Sequence, residues 1–167
     1  MTQLYAYYES PLGKILLSAT SSALTSLHFV GEKYYPGIAT DWTYDETSAV
    51  VKAASTQLDD YFAGKRKTFE LPLAPDGTEF QRQVWNALTK LRFGETSTYA
   101  QVAQRIGNPK AVRAVGAANG RNPISIIVPC HRVIGADGSL IGYAGGLVRK
   151  KALLQLEASE TEFRLTA

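Results

Sequence analysis

The spacing of apolar residues changes along this chain of 167 residues, and the change limits the folds that the chain can adopt. Apolar and polar residues alternate over much of the first thirty positions, beginning with Leu4-Tyr5-Ala6-Tyr7-Tyr8 and resuming after the turn residues Ser10-Pro11-Leu12-Gly13. Such alternation is typical of strands that bury one face. From Glu46 onward, apolar residues recur at helical spacing. We therefore expect a mixed α/β chain of the α+β type.

The first half of the sequence predicts a small antiparallel sheet with one helix. Three short strands joined by tight turns fit the first thirty residues, and helical spacing follows from Glu46 to Phe62, where Gly64 ends the helix. Residues 65–77 look extended and contain two prolines, so we assign them to a linker. The expected domains are residues 1–76 and residues 77–167.

The second half predicts a helical domain with a helix-turn-helix motif. Thr78 is expected to cap one helix, and Thr96 or Ser97 a second. A turn at Gly107-Asn108-Pro109 leads into a third helix, Lys110–Asn119, with the proline at its start. Two short helices joined by a glycine-containing turn form the helix-turn-helix pattern, although many helical hairpins that bind nothing share it.

An apolar run and a last helix follow this motif. Ile124–Val128 predicts a short buried strand that Pro129 ends, and an amphipathic helix is expected over Leu147–Glu157. Lys150 and Lys151 on that helix either reach the preceding loop or a phosphate, or solvate the helix surface.

The two halves of the chain differ in charge. Residues 1–76 hold six basic and nine acidic residues, whereas residues 77–167 hold twelve basic and six acidic ones, so the net charges are −3 and +6. Between Ser97 and Lys151 there are eight basic residues and one acid, Asp137. This pattern is typical of a polyanion partner on one face, and it also fits side chains that merely solvate helices.

Cys130 is the only cysteine of the sequence. A single thiol excludes an internal disulfide and any zinc site with two thiolates, and only His28 and His131 could supply imidazole ligands. The sequence shows neither a signal peptide nor an apolar run long enough to span a membrane. We therefore expect a protein of a reducing compartment, the cytoplasm.

The residues around Cys130 favour a reactive thiol. His131 and Arg132 follow it directly, and a nearby base or cation lowers a thiol pKa and yields the nucleophilic thiolate. Neighbours in a regular strand face opposite ways, so Cys130 and His131 interact only if the backbone turns or a water bridges them. A third group is needed to orient the histidine. Glu157 is favoured because it ends an apolar helical face; the other acids late in the chain are Asp137, Glu160 and Glu162.

A longer pattern surrounds these residues. Ile127-Val128-Pro129-Cys130-His131-Arg132-Val133-Ile134 resembles the active-site signature of the O6-alkylguanine-DNA alkyltransferases. Companion segments match in the family's order and spacing, namely Thr98-Tyr99, residues 107–116, Asn122-Pro123, residues 142–146 and Glu157. The resemblance is dense from Gly77 to Glu157, and over residues 1–76 it rests on length and strand pattern alone.

The resemblance implies a fold and a reaction. The implied fold has a ribonuclease H-like N-terminal domain and a C-terminal domain with a winged or helix-turn-helix-like DNA-binding motif. Members of the family flip O6-alkylguanine, chiefly O6-methylguanine and also O4-methylthymine, out of duplex DNA and transfer the alkyl group irreversibly to a cysteine. Cys130 matches that acceptor, His131 the base that acts through a water, and Glu157 the acid that orients the histidine. Each molecule would react once.

Further residues match the DNA-contacting and pocket positions of the family. Tyr99 corresponds to the residue that donates at O6 and helps rotate the nucleotide, Asn122 to the hinge that braces the cysteine turn, and Arg113 to the finger that fills the vacated stack. The remaining implied DNA contacts are Ala111, Ala114, Gly116 and Arg132. The implied base pocket consists of Val128, whose carbonyl would accept from the exocyclic amine, Val133, Tyr143, Ala144 and Gly145.

The implied partner is double-stranded DNA, bound through its minor groove by a monomer, with cooperative binding left open. No cofactor, metal or membrane contact is expected, since zinc-binding relatives use N-terminal cysteines and histidines and this chain has only His28 there. Two other functions stay open. A lesion-sensing or regulatory DNA-binding protein would leave the Cys-His-Arg cluster without a role, and a cysteine hydrolase that uses Cys130 and His131 would leave the helix-turn-helix unexplained.

Overall fold

A four-stranded sheet forms the N-terminal part of the molecule. The computed structural model describes residues 2–158, and its first three strands are β1 (Leu4–Ser10), β2 (Gly13–Ala19) and β3 (Leu24–Phe29). They pair antiparallel in chain order, which confirms the predicted meander. A short fourth strand, β4 (Thr43–Tyr44), pairs parallel to β1, so the expectation of a wholly antiparallel sheet is wrong at this edge. Since β1 and β3 run in the same direction, this pairing requires the long connection after β3 both to cross to the far edge and to return to the end of the sheet at which β3 begins.

Helix α1 (Ala49–Phe62) packs against the sheet. The helix begins after Ser48, whose hydroxyl oxygen accepts a hydrogen bond from the Val51 amide at 3.1 Å, and thus starts later than Glu46. Its buried side chains recur at helical spacing, as predicted; they are Val50, Val51, Ala54, Leu58 and Tyr61. Full burial of a large apolar side chain stabilises a fold by about 1.5–3 kcal/mol, so this face anchors the helix.

Two segments from outside the sheet form hydrogen bonds with the edge of β3 that faces away from β2. The Leu24 amide donates to the Pro72 carbonyl at 2.9 Å, which fastens the predicted linker to the sheet. Further along the same edge, the Leu27 amide donates to the Pro123 carbonyl at 2.8 Å, and the Ser125 amide donates to the Leu27 carbonyl at 3.1 Å. The sheet therefore contacts the segment that precedes Cys130.

Three helices pack together in the C-terminal part, namely α2 (Glu79–Leu88), α3 (Tyr99–Arg105) and α4 (Val112–Gly120). Thr78 caps α2 as predicted, in a reciprocal capping box with Gln81. Helix α3 is capped by Thr98 rather than by Thr96 or Ser97. The register differs because the amide of Thr98 pairs with the side chain of Gln101, which stands three residues into the helix.

Helix α4 begins later than predicted. Pro109 and Lys110 belong to a turn, in which the Ala111 amide donates to the Asn108 carbonyl at 3.0 Å. Proline suits a turn as well as it suits a helix start, so the sequence pattern does not separate the two. The helix-turn-helix pair itself, α3 followed by α4, is present.

The apolar run Ile124–Val128 is not a strand. Ile124 alone forms a bridge, to Leu27, and the chain then turns, with the Val128 amide donating to the Ile124 carbonyl at 3.0 Å. Ile126 has a φ of 71°, in the left-handed region. The strand prediction was wrong because an inward-folded turn needs apolar residues as much as a buried strand does. Residues 124–129 are called the 124–129 turn below.

Helix α5 (Leu147–Ala158) confirms the predicted last helix. Two short parallel strands, β5 (Ser97–Thr98) and β6 (Val133–Ile134), join the start of α3 to the segment after Cys130. The expected α+β class is therefore confirmed.

Within residues 2–158 no helix is long and apolar enough to cross a membrane. Glu160 and Glu162, two of the acids considered for the histidine, lie outside the described residues.

Candidate active site

Cys130 begins a 3-10 turn, Cys130–Arg132, directly after the 124–129 turn, and is only 4% exposed. Asn122 braces the segment before it. The Asn122 Nδ2 donates to the Val128 carbonyl at 2.8 Å, and its Oδ1 accepts from the Ile124 amide at 3.0 Å. The backbone break expected at Pro129 is present, so a turn rather than a strand presents the thiol.

His131 is paired with Glu157, as the sequence argument for that acid expected. The His131 Nε2 and the Glu157 Oε2 are 2.7 Å apart, and both side chains are almost completely buried. The other ring nitrogen, Nδ1, is also buried and has no hydrogen-bond partner among residues 2–158. With Nε2 engaged by the carboxylate, Nδ1 is the nitrogen that can accept a proton.

Glu157 is the centre of a buried cluster. Its carboxylate accepts from the Arg132 Nε at 2.8 Å, from the Arg132 Nη2 at 3.0 Å and from the Tyr61 hydroxyl at 2.7 Å. Burial alone would raise the pKa of Glu157, but the hydrogen bonds and charges of His131 and Arg132 outweigh it and lower the pKa to about 2. The carboxylate is therefore ionised at any physiological pH.

Arg132 does not occupy the DNA-contacting position that was expected. Its residue is 5% exposed, and its remaining guanidinium nitrogen, Nη1, donates to the Leu91 carbonyl at 2.7 Å. Every nitrogen of the guanidinium is thus used inside the protein. A buried carboxylate such as Glu157 needs a paired cation, and this need explains why the arginine is internal.

Cys130 is a protonated thiol in this structure. Burial raises its pKa to about 11, and the hydrogen bond from Asn122 offsets only part of that effect. The expectation that the neighbouring His131 and Arg132 lower the pKa of this thiol is therefore wrong. Burial likewise lowers the pKa of His131, although Glu157 acts in the opposite direction, so the imidazole is neutral near pH 7. The pair is a thiol beside a neutral base.

Lys150 of helix α5 holds the loop Gly142–Gly146 in place through hydrogen bonds to backbone carbonyls. The Lys150 Nζ donates to the Val133 carbonyl at 2.6 Å and to the Ile141 carbonyl at 2.7 Å, and lies 3.4 Å from the Gly142 carbonyl. Lys150 is fully buried, so of the roles considered for it, the loop contact is the one present. Burial lowers its pKa to about 8.

Two tyrosine hydroxyls lie at this loop. The Tyr143 hydroxyl is buried and has no hydrogen-bond partner among the described residues. Burial, together with the charge that Cys130 would carry, raises the pKa of Tyr143 well above 10.0. The Tyr99 hydroxyl donates to the Ile141 carbonyl at 3.0 Å, and burial raises its pKa too. Both phenols are therefore neutral donors beside Cys130.

Helix α4 presents small residues next to Tyr99. A Cβ on Gly116 would lie 3.8 Å from the Tyr99 ring, and the two residues line a groove of about 330 Å³ together with Val112, Ile141 and Gly142. Arg113 and Ala114 are exposed on the outer face, and Ala111 and Gly116 are half-buried. Among residues 2–158, this face of α4 is at least partly exposed.

The two valines assigned to the pocket contribute main-chain carbonyls that are already engaged. The Val128 carbonyl accepts from the Asn122 Nδ2 at 2.8 Å and from the Cys130 amide at 2.8 Å, so neither lone pair is left for a guanine amine. The proposed role of that carbonyl is not supported, because the turn uses it to hold itself together. The Val133 carbonyl accepts from Lys150 and keeps a second lone pair.

Three residues that no sequence pattern indicated also shape the site. Tyr61 comes from α1 and donates to Glu157, Asn119 places its Nδ2 3.5 Å from the Cys130 carbonyl, and Glu32 is a buried carboxylate whose charge acts on Cys130. No local pattern marks Tyr61 or Glu32, since both lie in the half without a motif. Among residues 2–158 no group of three or more His, Cys, Asp or Glu side chains could hold a metal ion.

Comparison with known proteins assigns both halves of the chain. Residues 3–75 match the ribonuclease-like domain of 6-O-methylguanine DNA methyltransferase, and residues 79–159 match its DNA-binding domain. The chain belongs to this methyltransferase family. The matches confirm the family and the two-part fold expected from the sequence.

Individual relatives cover almost the whole chain. The methylated-DNA–protein-cysteine methyltransferase of Methanosarcina acetivorans is 54% identical over 155 residues, which are 93% of this chain and 98% of that one. The crystal structure of Mycobacterium tuberculosis O6-methylguanine methyltransferase has a TM-score of 0.87 at 47% identity and covers 99% of this chain and 98% of its own. The Mycobacterium tuberculosis protein in complex with DNA has a TM-score of 0.86 at 47% identity and covers 93% of each chain.

Proposed function

We propose that this protein repairs alkylated DNA by transferring an alkyl group from O6 of guanine to the Sγ of Cys130. One observation carries the proposal. In a member of this methyltransferase family, the buried thiol of Cys130 is followed directly by His131, a neutral histidine whose Nε2 is fixed by the ionised carboxylate of Glu157. O6-methylguanine is the chief substrate in this proposal, and O4-methylthymine is a second one.

The reaction is a single displacement. The bond from Sγ to the alkyl carbon forms as the bond from that carbon to O6 breaks, and the electron pair of the broken bond stays on the base. The thiol proton passes to His131 Nδ1, through a water if the two atoms do not touch, and Glu157 stabilises the imidazolium that results. The Tyr99 hydroxyl leaves the Ile141 carbonyl and donates a hydrogen bond to O6, which stabilises the negative charge that develops on the departing base.

Each molecule reacts once. The product is a thioether, which a second thiol does not reverse, and the sequence contains no other cysteine. The high pKa of Cys130 fits this scheme, because a protonated thiol is protected from oxidation until an alkylated nucleobase enters the pocket. Asn122 keeps the role expected of it, since it holds the turn that presents the thiol.

DNA binding is proposed through helix α4. The family relative from Mycobacterium tuberculosis binds DNA, and here α4 exposes Arg113 and Ala114 beside half-buried Ala111 and Gly116. Small residues suit close approach to the minor groove, and Arg113 is long enough to fill the stack from which the base is flipped. Phosphate contacts from the basic C-terminal half then supply most of the affinity.

Tyr143, Ala144 and Gly145 form one wall of the base pocket in this proposal, and the Val133 backbone contacts the base edge. The protein acts as a monomer and uses neither metal nor cofactor, and cooperative binding along DNA stays open. The cytoplasmic location and the domain boundary after residue 76 remain predictions.

The test uses duplex DNA that carries O6-methylguanine with a labelled methyl group. We expect one label per wild-type molecule, mapped to Cys130, and no further turnover. Cys130→Ser is expected to lose transfer and keep DNA binding, and its retention of transfer would refute the mechanism. Tight binding by the wild type without transfer would favour a lesion sensor, and repeated turnover of an ester or amide would favour a hydrolase.

A further inference from the structure

Arg149, in the first turn of α5, joins the N-terminal sheet to the loop Gly142–Gly146. Its Nε donates to the Leu12 carbonyl at 2.9 Å, in the turn between β1 and β2, and its Nη1 donates to the Gly145 carbonyl at 3.1 Å. The guanidinium carbon lies 4.4 Å from the centre of the Phe29 ring, at the end of β3. A planar fork that stacks on a ring while it donates in two directions is a property of arginine and not of lysine.

Gly145 lies between two aromatic rings. A Cβ at this position would stand 2.7 Å from the Tyr143 Cε2 and 3.1 Å from the Phe29 Cδ2, so only glycine lets the loop pack this closely on β3. The Lys33 amide donates to the Ala144 carbonyl at 3.1 Å, and it too belongs to the N-terminal half. The N-terminal half therefore contacts the loop at Ala144 and at Gly145.

The composition of the loop explains why it needs support from outside. Gly142, Gly145 and Gly146 make up most of its five residues, and two of them have positive φ values, 60° for Gly142 and 93° for Gly146. Glycine loses more backbone freedom on ordering than other residues and brings no side chain to pack. Contacts from Arg149, Lys150 and the β3 end must therefore supply the order.

We propose that Arg149 is a positioning residue for alkyl transfer: by tying Leu12 and Phe29 to Gly145, it holds the ring of Tyr143 in the wall of the base pocket. The inference rests on the proposed function and extends it, since the N-terminal sheet then takes part in the geometry of the pocket. Arg149 acts through the loop and not on the reacting atoms. A displacement of about 1 Å at a reacting centre costs about 100-fold in rate, so a modest shift of the loop is measurable.

The test compares Arg149→Met, which keeps an unbranched apolar stem, with Arg149→Lys, which keeps the charge. Lys52→Met is the control, because it removes one exposed positive charge on α1, away from the pocket loop. Methyl transfer from duplex O6-methylguanine is measured in single turnovers with protein in excess, over a range of protein concentrations. This design separates the limiting rate constant from the half-saturating concentration.

We expect Arg149→Met to lower the limiting rate constant about 10- to 100-fold with little change in the half-saturating concentration. Arg149→Lys should fall between it and the wild type, and Lys52→Met should match the wild type in both quantities. Hydrogen exchange of the amides of residues 143–146 should accelerate in Arg149→Met while the amides of α1 and α2 keep their rates. A merely structural role would accelerate exchange throughout.

Two results would overturn the inference. One is an unchanged limiting rate constant in Arg149→Met, or a defect confined to the half-saturating concentration, which would assign Arg149 to DNA affinity. The other is faster exchange throughout the fold in both Arg149 variants. If Arg149→Met does not fold, Arg149→Lys carries the same comparison. A wild type that transfers no methyl group would overturn the proposed function itself, whereas a reactive wild type with equally reactive Arg149 variants would overturn this inference alone.

Discussion

Leu27, in the edge strand of the N-terminal sheet, pairs with Ile124, the first residue of the turn that leads to Cys130. The Leu27 amide donates to the Pro123 carbonyl at 2.8 Å, and both Leu27 and Ile124 are fully buried. The thiol is therefore positioned from the N-terminal half, although that half contributes no residue to the cysteine motif. Through this pairing, the sheet helps to fix the position of the turn that leads to Cys130.

Leu27→Ala should loosen the turn before Cys130 more than an equally destabilising substitution elsewhere in the core does. We expect a loss of about 2–5 kcal/mol in the free energy of unfolding, measured in urea, because a buried leucine is truncated. Leu58→Ala is the matched control, since Leu58 is equally buried but lies in α1. Amide exchange at Ser125 and Val128 should accelerate in the Leu27 variant only. Equal acceleration in both variants would show that the pairing has no special effect on the turn.

Glu157→Gln should both destabilise the fold and slow alkyl transfer. Removing the carboxylate charge leaves Arg132 buried without its counter-ion, which costs about 3–5 kcal/mol in comparable buried pairs. It also leaves the imidazolium of His131 without support. Tyr61→Phe is the milder comparison, because it removes one hydrogen bond to the same carboxylate and should cost about 1 kcal/mol. Urea unfolding and single-turnover transfer measure the two effects, and a fully active Glu157→Gln would contradict the role of the acid.

The rate of transfer should fall at acid pH with a midpoint below 6.5. Burial lowers the pKa of His131 from 6.5, so the imidazole stays neutral until the pH falls beneath that value, and a protonated ring does not accept the thiol proton. Glu157 has a pKa of about 2 and stays ionised throughout. Single-turnover rates across the histidine range, about pH 5 to 8, check this. A rate that falls at acid pH with a midpoint at or above 6.5 would contradict a neutral, buried His131 as the base.

The Cys130 thiol should titrate later in the folded protein than in the unfolded one. Its folded pKa is about 11, against 9.0 for an ordinary thiol. The folded state therefore holds this proton more tightly, so its contribution to stability is present below pH 9.0 and is lost as the pH rises toward 11. The pH profile of alkylation by iodoacetamide, in buffer and in urea, compares the two states. A folded profile that lies at or below the urea profile would indicate a resting thiolate.

Arg113→Ala should impair repair of duplex DNA and spare the fold. The side chain is exposed on α4, so the free energy of unfolding should change by about 0.5 kcal/mol or less. Reaction with duplex O6-methylguanine should slow far more than reaction with the free base, because only the duplex needs a residue to fill the vacated stack. Equal losses on the two substrates would remove the finger role.

Local sequence patterns predicted the helices and strands correctly where a pattern had only one structural explanation. The meander of β1 to β3, the cap at Thr78 and the last helix all follow from short-range spacing and hydrogen bonding. The pairing of His131 with Glu157 was also predictable, since an acid that ends an apolar helical face is turned inward. The run Ile124–Val128 was not predictable, because burial demands apolar residues of a turn and of a strand alike.

By itself, the sequence determined the chemistry available to this protein: one thiol beside a histidine, an arginine and a distant acid, with a basic helix pair before them. The tertiary structure decided how these groups are used. Arg132 faces inward to Glu157 rather than outward to DNA, and Cys130 keeps its proton. Both outcomes depend on the cost of removing charges from water, which packing between distant segments sets and no local pattern records.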